Sequence, residues 1–294
     1  MKFTPLPPLL IGFAAGMQTV TAAILIDLDF GDTSAADQAT YGPAFAAAES
    51  FWESKLTGYR DGPGLSPNNV VISVELAYID GVFNVLGSAG PTSGNVGGSF
   101  LEVSAGQMTF DTADLDYMVT NGVFEKVIRH EMGHVLGFGT LWSSSSVGLP
   151  GFQEVYVNGS GEYTGAAALA AYQEEFGQAE AGFVPVELDG GGGTANGHWN
   201  EVTDNFNIEN LAGFDSDPGD EGPAPTIVGG IHAGESLDDD LMTGVLSGST
   251  YLSNTTLASF YDIGYTIADL EPIPEPGTLA FLTFIVALTV LRRR

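Results

Sequence analysis

The sequence predicts an α+β fold in a single folded body spanning about residues 23–270, and three observations carry that prediction. Stretches at 24–30, 70–79 and 101–111 alternate apolar and polar residues, the period of two that lays one face of a strand on a core. Stretches at 35–56 and around 123–136 instead repeat apolar residues every three or four positions, as helices with one buried face do. Beyond residue 140, glycine, proline and aspartate interrupt any long periodicity. An N-terminal part, 23–139, should therefore hold the sheet and the principal helix, and a C-terminal part, 140–270, should be largely irregular.

Taken in order, residues 1–22 read as a secretory signal peptide: basic Lys2, an apolar run from Leu9 to Ala15, then small Thr21, Ala22 and Ala23 suited to cleavage. A buried first strand is the competing reading. Ile24 to Phe30 sets Ile26, Leu28 and Phe30 against Asp27 and Asp29, a half-buried strand. Ala35 to Leu56 is rich in alanine and places Phe45, Ala48, Phe51, Trp52 and Leu56 at helical spacing, a helix lying on the sheet. Turn residues at 61–69 lead to a strand at Val70 to Ile79. Gly87 to Gly98 reads as a loop of glycine, serine and proline. Leu101 to Asp111 is the last strand before the principal helix. As an edge strand it would offer free backbone groups to an extended peptide, and as an interior strand it would not.

The chemistry is concentrated in Val127 to Trp142, V-I-R-H-E-M-G-H-V-L-G-F-G-T-L-W. Four positions of a helix turn the chain through about 400°, so His130 and His134 stand on one face and can share a metal ion. Glu131 beside them is placed to take a proton from water activated at that metal. Asn121 is a candidate cap for the start of this helix, and Gly137 supplies its stop. The bland alternative is a chance H-E-x-x-H in an ordinary buried helix. Two further histidines, His198 and His232, compete to be a third ligand. Thr164 to Phe176 is an alanine-rich helix, and Gly190 to Gly193 is a glycine run that leads to Asn196-Gly197-His198-Trp199. Such a run allows a long excursion to return a ligand to a fixed metal. Met242, in Leu241-Met242-Thr243-Gly244, is a candidate apolar floor, and Leu257 to Ile267 closes the chain as a short helix and turn.

No cysteine is present, which excludes disulfides, thiolate metal sites and a cysteine nucleophile, so zinc would be held by histidine or carboxylate. Between Ala23 and Glu271 only Lys55, Arg60, Lys126 and Arg129 face 36 acidic residues, all of the 37 except Glu275. A body so acidic repels nucleic acid and anionic surfaces. Calcium is a further candidate ligand, at Asp27, Asp29 and Asp32, at Asp215, Asp217 and Asp220, or at Asp238 to Asp240. None of these follows EF-hand spacing, and solvated acidic loops are the plainer reading.

Residues 271–294 contain Pro274-Glu275-Pro276, an apolar run from Leu279 to Leu291, and Arg292-Arg293-Arg294. The tripartite order resembles the bacterial PEP-CTERM sorting signal, which implies export machinery, transient membrane anchoring through a tail helix, and delivery to the cell surface, the extracellular matrix or the medium. A plain C-terminal anchor is the alternative. The R-H-E-M-G-H-V-L-G-F-G-T-L-W segment, G-H-W-N-E, L-M-T-G and the closing T-L-A-S-F-Y-D-I-G-Y resemble the leishmanolysin-like branch of the metzincin metalloendopeptidases.

That resemblance covers most of the chain from about Phe45 to Ile267. It implies a twisted mixed sheet over the active-site helix, zinc on His130, His134 and His198, Glu131 as general base, Met242 as the Met-turn residue, and a protein or peptide substrate. It gives His232 no role. Thr140 stands where the wider clan keeps its third histidine, and the path from Asn205 to Asp238 is longer than the family's usual one. The expected function is a secreted or surface-exposed zinc metalloendopeptidase. The alternatives are a catalytically weak surface or matrix binding protein that keeps the metal-binding fold, and a zinc hydrolase of non-peptide bonds.

Overall fold

The computed structural model of the chain describes residues 24–60, 69–97, 100–143, 154–201, 224–245 and 250–268. In order, the elements are β1 (Leu25–Asp29), α1 (Ala35–Lys55), β2 (Leu56–Tyr59), β3 (Asn69–Ala77), β4 (Gly87–Gly97), β5 (Phe100–Asp111), α2 (Leu115–Thr120), α3 (Phe124–Val135), β6 (Glu162–Tyr163), α4 (Ala166–Glu175), β7 (Val184–Pro185), a 3-10 turn (Leu237–Asp239), α5 (Asn254–Asp262) and β8 (Tyr265–Ile267). The class is α+β with a mixed sheet. Among the described residues no helix is long and apolar enough to cross a membrane. The expected signal peptide at 1–22 and sorting tail at 271–294 lie outside the described residues.

The main sheet has the order β1-β3-β5-β4. β1, β3 and β5 run parallel, and β4 pairs antiparallel with β5. A parallel neighbour requires a crossover, and α1 supplies it between β1 and β3. Ser34 starts α1 by accepting a hydrogen bond from the Asp37 amide at 3.1 Å. Its buried face is Phe45, Ala48 and Trp52, and Phe45 meets Phe30, Phe110 and Phe124 edge to face at 5.3–5.7 Å. Such contacts add about 0.5–1.5 kcal/mol each to plain burial.

Strand alternation appears as expected in β3, where Val70, Ile72 and Val74 are buried and Val71, Ser73 and Glu75 are exposed. α3 packs against α1, β4 and β5. The Trp52 indole N–H donates to the Arg129 carbonyl at 2.8 Å, tying α1 to α3 one residue before His130.

In the C-terminal part Trp142 stacks on Trp199 at 5.1 Å, with Phe138, Tyr163 and Phe260 around them, and Phe260 meets Trp52 of α1 at 5.0 Å, so both parts share one core. α4 and α5 cap one another. Asp262, at the end of α5, accepts from the amides of Ala167 and Ala168 at 2.9 Å, and Glu175, at the end of α4, accepts from those of Asn254 and Thr255 at 3.0 Å. β8 then pairs antiparallel with β2, returning the chain to the N-terminal part.

Two expectations are corrected, Gly87 to Gly98 as a loop and Asn121 as a cap of α3, and the place of Leu101 to Asp111, open between edge and interior, is resolved. Gly87 to Gly98 is not a loop, because 87–97 is the outer strand β4. Its residues carry little side chain, so pairing through the backbone leaves no apolar period to read. Leu101 to Asp111 is consequently interior, between β3 and β4. Asn121 does not cap α3: its amide side chain donates to the Tyr117 carbonyl at 2.8 Å and ends α2, while Val123 precedes α3 without a side-chain cap.

Candidate metal centre

α3 buries nearly its whole surface, with Val127, Ile128, Met132 and Val135 in the core and His130, Glu131 and His134 also buried. It stops at Gly137, whose φ of 116° only glycine adopts without strain, and Phe138 N then bonds back to Gly133 O at 3.0 Å. Thr140, just past the helix, donates its hydroxyl to the His134 carbonyl at 2.8 Å.

His198 arrives on a strand-like segment threaded between two others. The Glu187 amide donates to the His198 carbonyl at 3.1 Å, and the Trp199 amide donates to the Met242 carbonyl at 3.1 Å. Thus the third imidazole is seated by backbone pairing, and Trp199 behind it is locked into the aromatic core.

The three imidazoles converge. Nε2 of His130 lies 3.1 Å from that of His198, and Nε2 of His134 lies 3.0 Å from both. Each opposite nitrogen is committed to a backbone carbonyl: Nδ1 of His130 to Leu241 O at 2.7 Å, of His134 to Phe138 O at 3.0 Å, and of His198 to Thr194 O at 2.8 Å. A carbonyl accepts, so each Nδ1 carries the proton and each Nε2 presents a lone pair. Three lone pairs facing one another repel unless a cation lies among them. A triangle of this size has its corners about 1.75 Å from the centre, close enough for an ion about 2 Å from each nitrogen.

Burial, the largest cause, pushes all three histidines toward the neutral form, His198 to about 3 and His134 well below its usual value. Neutral imidazoles are the ligand state, so the residues fit a divalent metal ion. Among the described residues this is the one group of three or more histidine or carboxylate side chains whose ligand atoms gather within 4.8 Å.

Glu131 stands beside the triad, buried, its carboxyl raised by desolvation to about 8. Across it runs the first residue of β4: a Cβ on Gly87 would lie 2.9–3.1 Å from the Glu131 side chain. Met242 is fully buried under α3, its Sδ and Cε 2.8 Å from where a Cβ on Gly133 would stand.

His232 is elsewhere, bonded to Glu235 at 2.8 Å and stacked on Tyr251. Among the described residues, the candidate calcium groups at Asp27, Asp29 and Asp32 and at Asp238 to Asp240 bring no three ligand oxygens within 4.8 Å of one another. Asp27 binds the Asn69 amide, Asp29 takes the Gly31 amide, and Asp215, Asp217 and Asp220 lie outside the described residues.

Asp240, read from sequence only as part of an acidic run, supports the three-histidine cluster. Its buried carboxylate accepts from the amides of Met242 at 2.7 Å and Ser253 at 2.9 Å, and from the Thr256 hydroxyl at 2.8 Å. Thr256 in turn accepts from the Trp199 indole at 2.7 Å. One carboxylate thereby fixes the turn that carries Leu241 O to His130 and the tryptophan that follows His198. The only signal for it in the sequence was its place two residues before Met242. Gly87 gave none, since glycine in a glycine-rich stretch reads as loop.

A scan against protein-family models finds no match for this chain, and a comparison with curated proteins finds none either.

Proposed function

We propose that the chain is an exported zinc metalloendopeptidase of the leishmanolysin-like metzincin type. The observation that carries the reading is the triangle of Nε2 lone pairs with Glu131 at its side. Three nitrogen ligands suit zinc, and they leave a fourth position for reactants. Zinc held there supplies Lewis acidity, polarising a carbonyl and making water a stronger acid at neutral pH.

The chain's own residues do the rest. Glu131 accepts the proton of the water that adds to the scissile carbonyl, then delivers it to the amine nitrogen as the C–N bond breaks. Burial alone favours its protonated form, and a neighbouring divalent charge opposes that and restores a base. β4, outermost in the main sheet and adjacent to Glu131, offers an extended peptide a backbone edge to pair with. Export and surface retention belong to the same proposal and rest on the composition of the two termini.

The test is zinc content and casein cleavage of purified protein. The wild type should bind one zinc per chain and cleave in a chelator-sensitive way. Glu131→Ala should keep the zinc and lose the cleavage, and cleavage retained in that variant removes Glu131 from the mechanism. A zinc-loaded wild type that cleaves no casein or peptide overturns the enzyme reading in favour of a metal-bearing binding protein.

A further inference from the structure

We propose that Asn196 is a positioning residue that sets His198, the one ligand not built into α3; the inference rests on the metal-centre reading above. His130 and His134 take their places from a helix. His198 lies 64 residues beyond His134, after a glycine run, and needs another device.

Asn196 has φ +66°, a left-handed conformation that it shares among non-glycine residues only with Phe83 in the described structure. Asparagine tolerates that region better than most side chains, because its short amide bonds locally. Here the amide reaches further. Oδ1 accepts from the Tyr156 hydroxyl at 2.6 Å and from the Gly159 amide at 2.7 Å, groups 40 and 37 residues earlier. The backbone amide of Asn196 donates to the Glu187 carbonyl at 2.7 Å, and the Glu187 amide reciprocates to the His198 carbonyl at 3.1 Å. Glu187 therefore holds both ends of the turn, residues 196 and 198, by its own backbone groups.

The turn also orients the ring. Thr194 O accepts from the Gly197 amide at 3.3 Å and from His198 Nδ1 at 2.8 Å, so the carbonyl that fixes the tautomer of His198 sits on the same turn as Asn196. Gly197 is pressed from the other side. A Cβ on Gly139, just past α3, would stand 2.4 Å from the Gly197 carbonyl oxygen. Tyr156 and Gly159 hold the turn at Asn196 and Gly139 packs against it at Gly197, and the turn so held carries Nε2 of His198 to the other two.

The experiment measures the zinc dissociation constant of the full chain by competition with a chromophoric chelator, beside the melting temperature of the metal-free protein. Asn196→Ala, which loses the acceptor and disfavours the left-handed backbone, should weaken zinc about 10- to 100-fold, the range for groups that orient ligands. Asn196→Gly keeps the backbone and loses the anchor, so it should weaken zinc about tenfold. Asn196→Asp keeps an acceptor oxygen and should stay within about threefold of wild type. Tyr156→Phe removes one hydroxyl, should weaken zinc, and should add little to Asn196→Gly, because both cut the same bond.

Melting temperatures that fall while zinc affinity stays within about twofold would make Asn196 merely structural and overturn the proposal. If Asn196→Ala does not fold, Tyr156→Phe and Asn196→Gly decide in the same way. A wild type that binds no zinc defeats the metal-centre reading itself, an outcome distinct from a zinc-binding wild type whose variants bind equally well.

Discussion

At the scale of single residues, the site depends as much on atoms that are missing as on ligands. Gly87 is the clearest case. The Glu131 carboxyl occupies the space that a side chain at 87 would take, with contacts of 2.9–3.1 Å to a built Cβ. Gly87→Ala therefore has to push either β4 or the Glu131 side chain by a few tenths of an ångström, and the side chain is the softer of the two. The histidines are untouched by that shift. Zinc content should stay at one per chain while peptide cleavage falls about 10- to 100-fold, as small misplacements of a catalytic group do. Metal analysis beside a cleavage assay checks it, and wild-type turnover in Gly87→Ala would show that β4 does not set the base. Met242 and Gly133 make the matching pair beneath the helix, the absent side chain of one admitting the thioether of the other.

At the scale of elements, the helices of the C-terminal part hold each other by their ends, and that arrangement is sensitive to pH. The Asp262 carboxylate accepts two amides of α4, yet burial, the larger effect, raises it from 3.8 to about 6. The folded state thus holds this proton more tightly than the unfolded chain does. Its contribution is fully present below about pH 4 and is lost as pH rises through about 6, a change of about 3 kcal/mol at 1.36 kcal/mol per unit. In Asp262→Asn that dependence is gone. Urea unfolding at pH 4 and pH 7 should show the wild type losing about 2 kcal/mol relative to the variant over that interval, most of the full change; a parallel pair of pH profiles refutes it. These caps were not legible in the sequence, since nothing local links Asp262 to Ala167 across 95 residues. What could be read was local and periodic: β3 by its alternation, α1 by Phe45, Ala48 and Trp52, and α3 by its H-E-x-x-H face. His198 was legible as a candidate through its glycine run and Trp199, and its approach to within 3.1 Å of His130 is a tertiary fact. β4 escaped because glycine and serine can still pair through the backbone, here beside a neighbouring strand that holds them, but leave no pattern.

At the scale of the whole molecule, charge dominates. Eight basic residues face 37 acidic ones, a net charge of −29, and several of the acids have raised pKa through burial, among them the buried Asp240 and the partly buried Glu175 and Glu201. Folding brings these charges together, so self-repulsion opposes the compact state at neutral pH. Salt weakens repulsion between exposed carboxylates, the Debye length shrinking from about 30 Å at 0.01 M to about 3 Å at 1 M. Raising KCl from about 0.01 M to about 0.5 M at pH 7 should therefore stabilise the protein by about 1–2 kcal/mol, a rise in melting temperature of about 2–8 °C. Protonation removes the cause. At pH 4, near the ordinary carboxylate pKa values, the same salt step should raise the melting temperature by less than half as much. Calorimetry over the two salt series decides the matter: a melting temperature that falls with KCl at pH 7, or a response equally large at pH 4, would mean that repulsion among the carboxylates does not limit the stability of this fold.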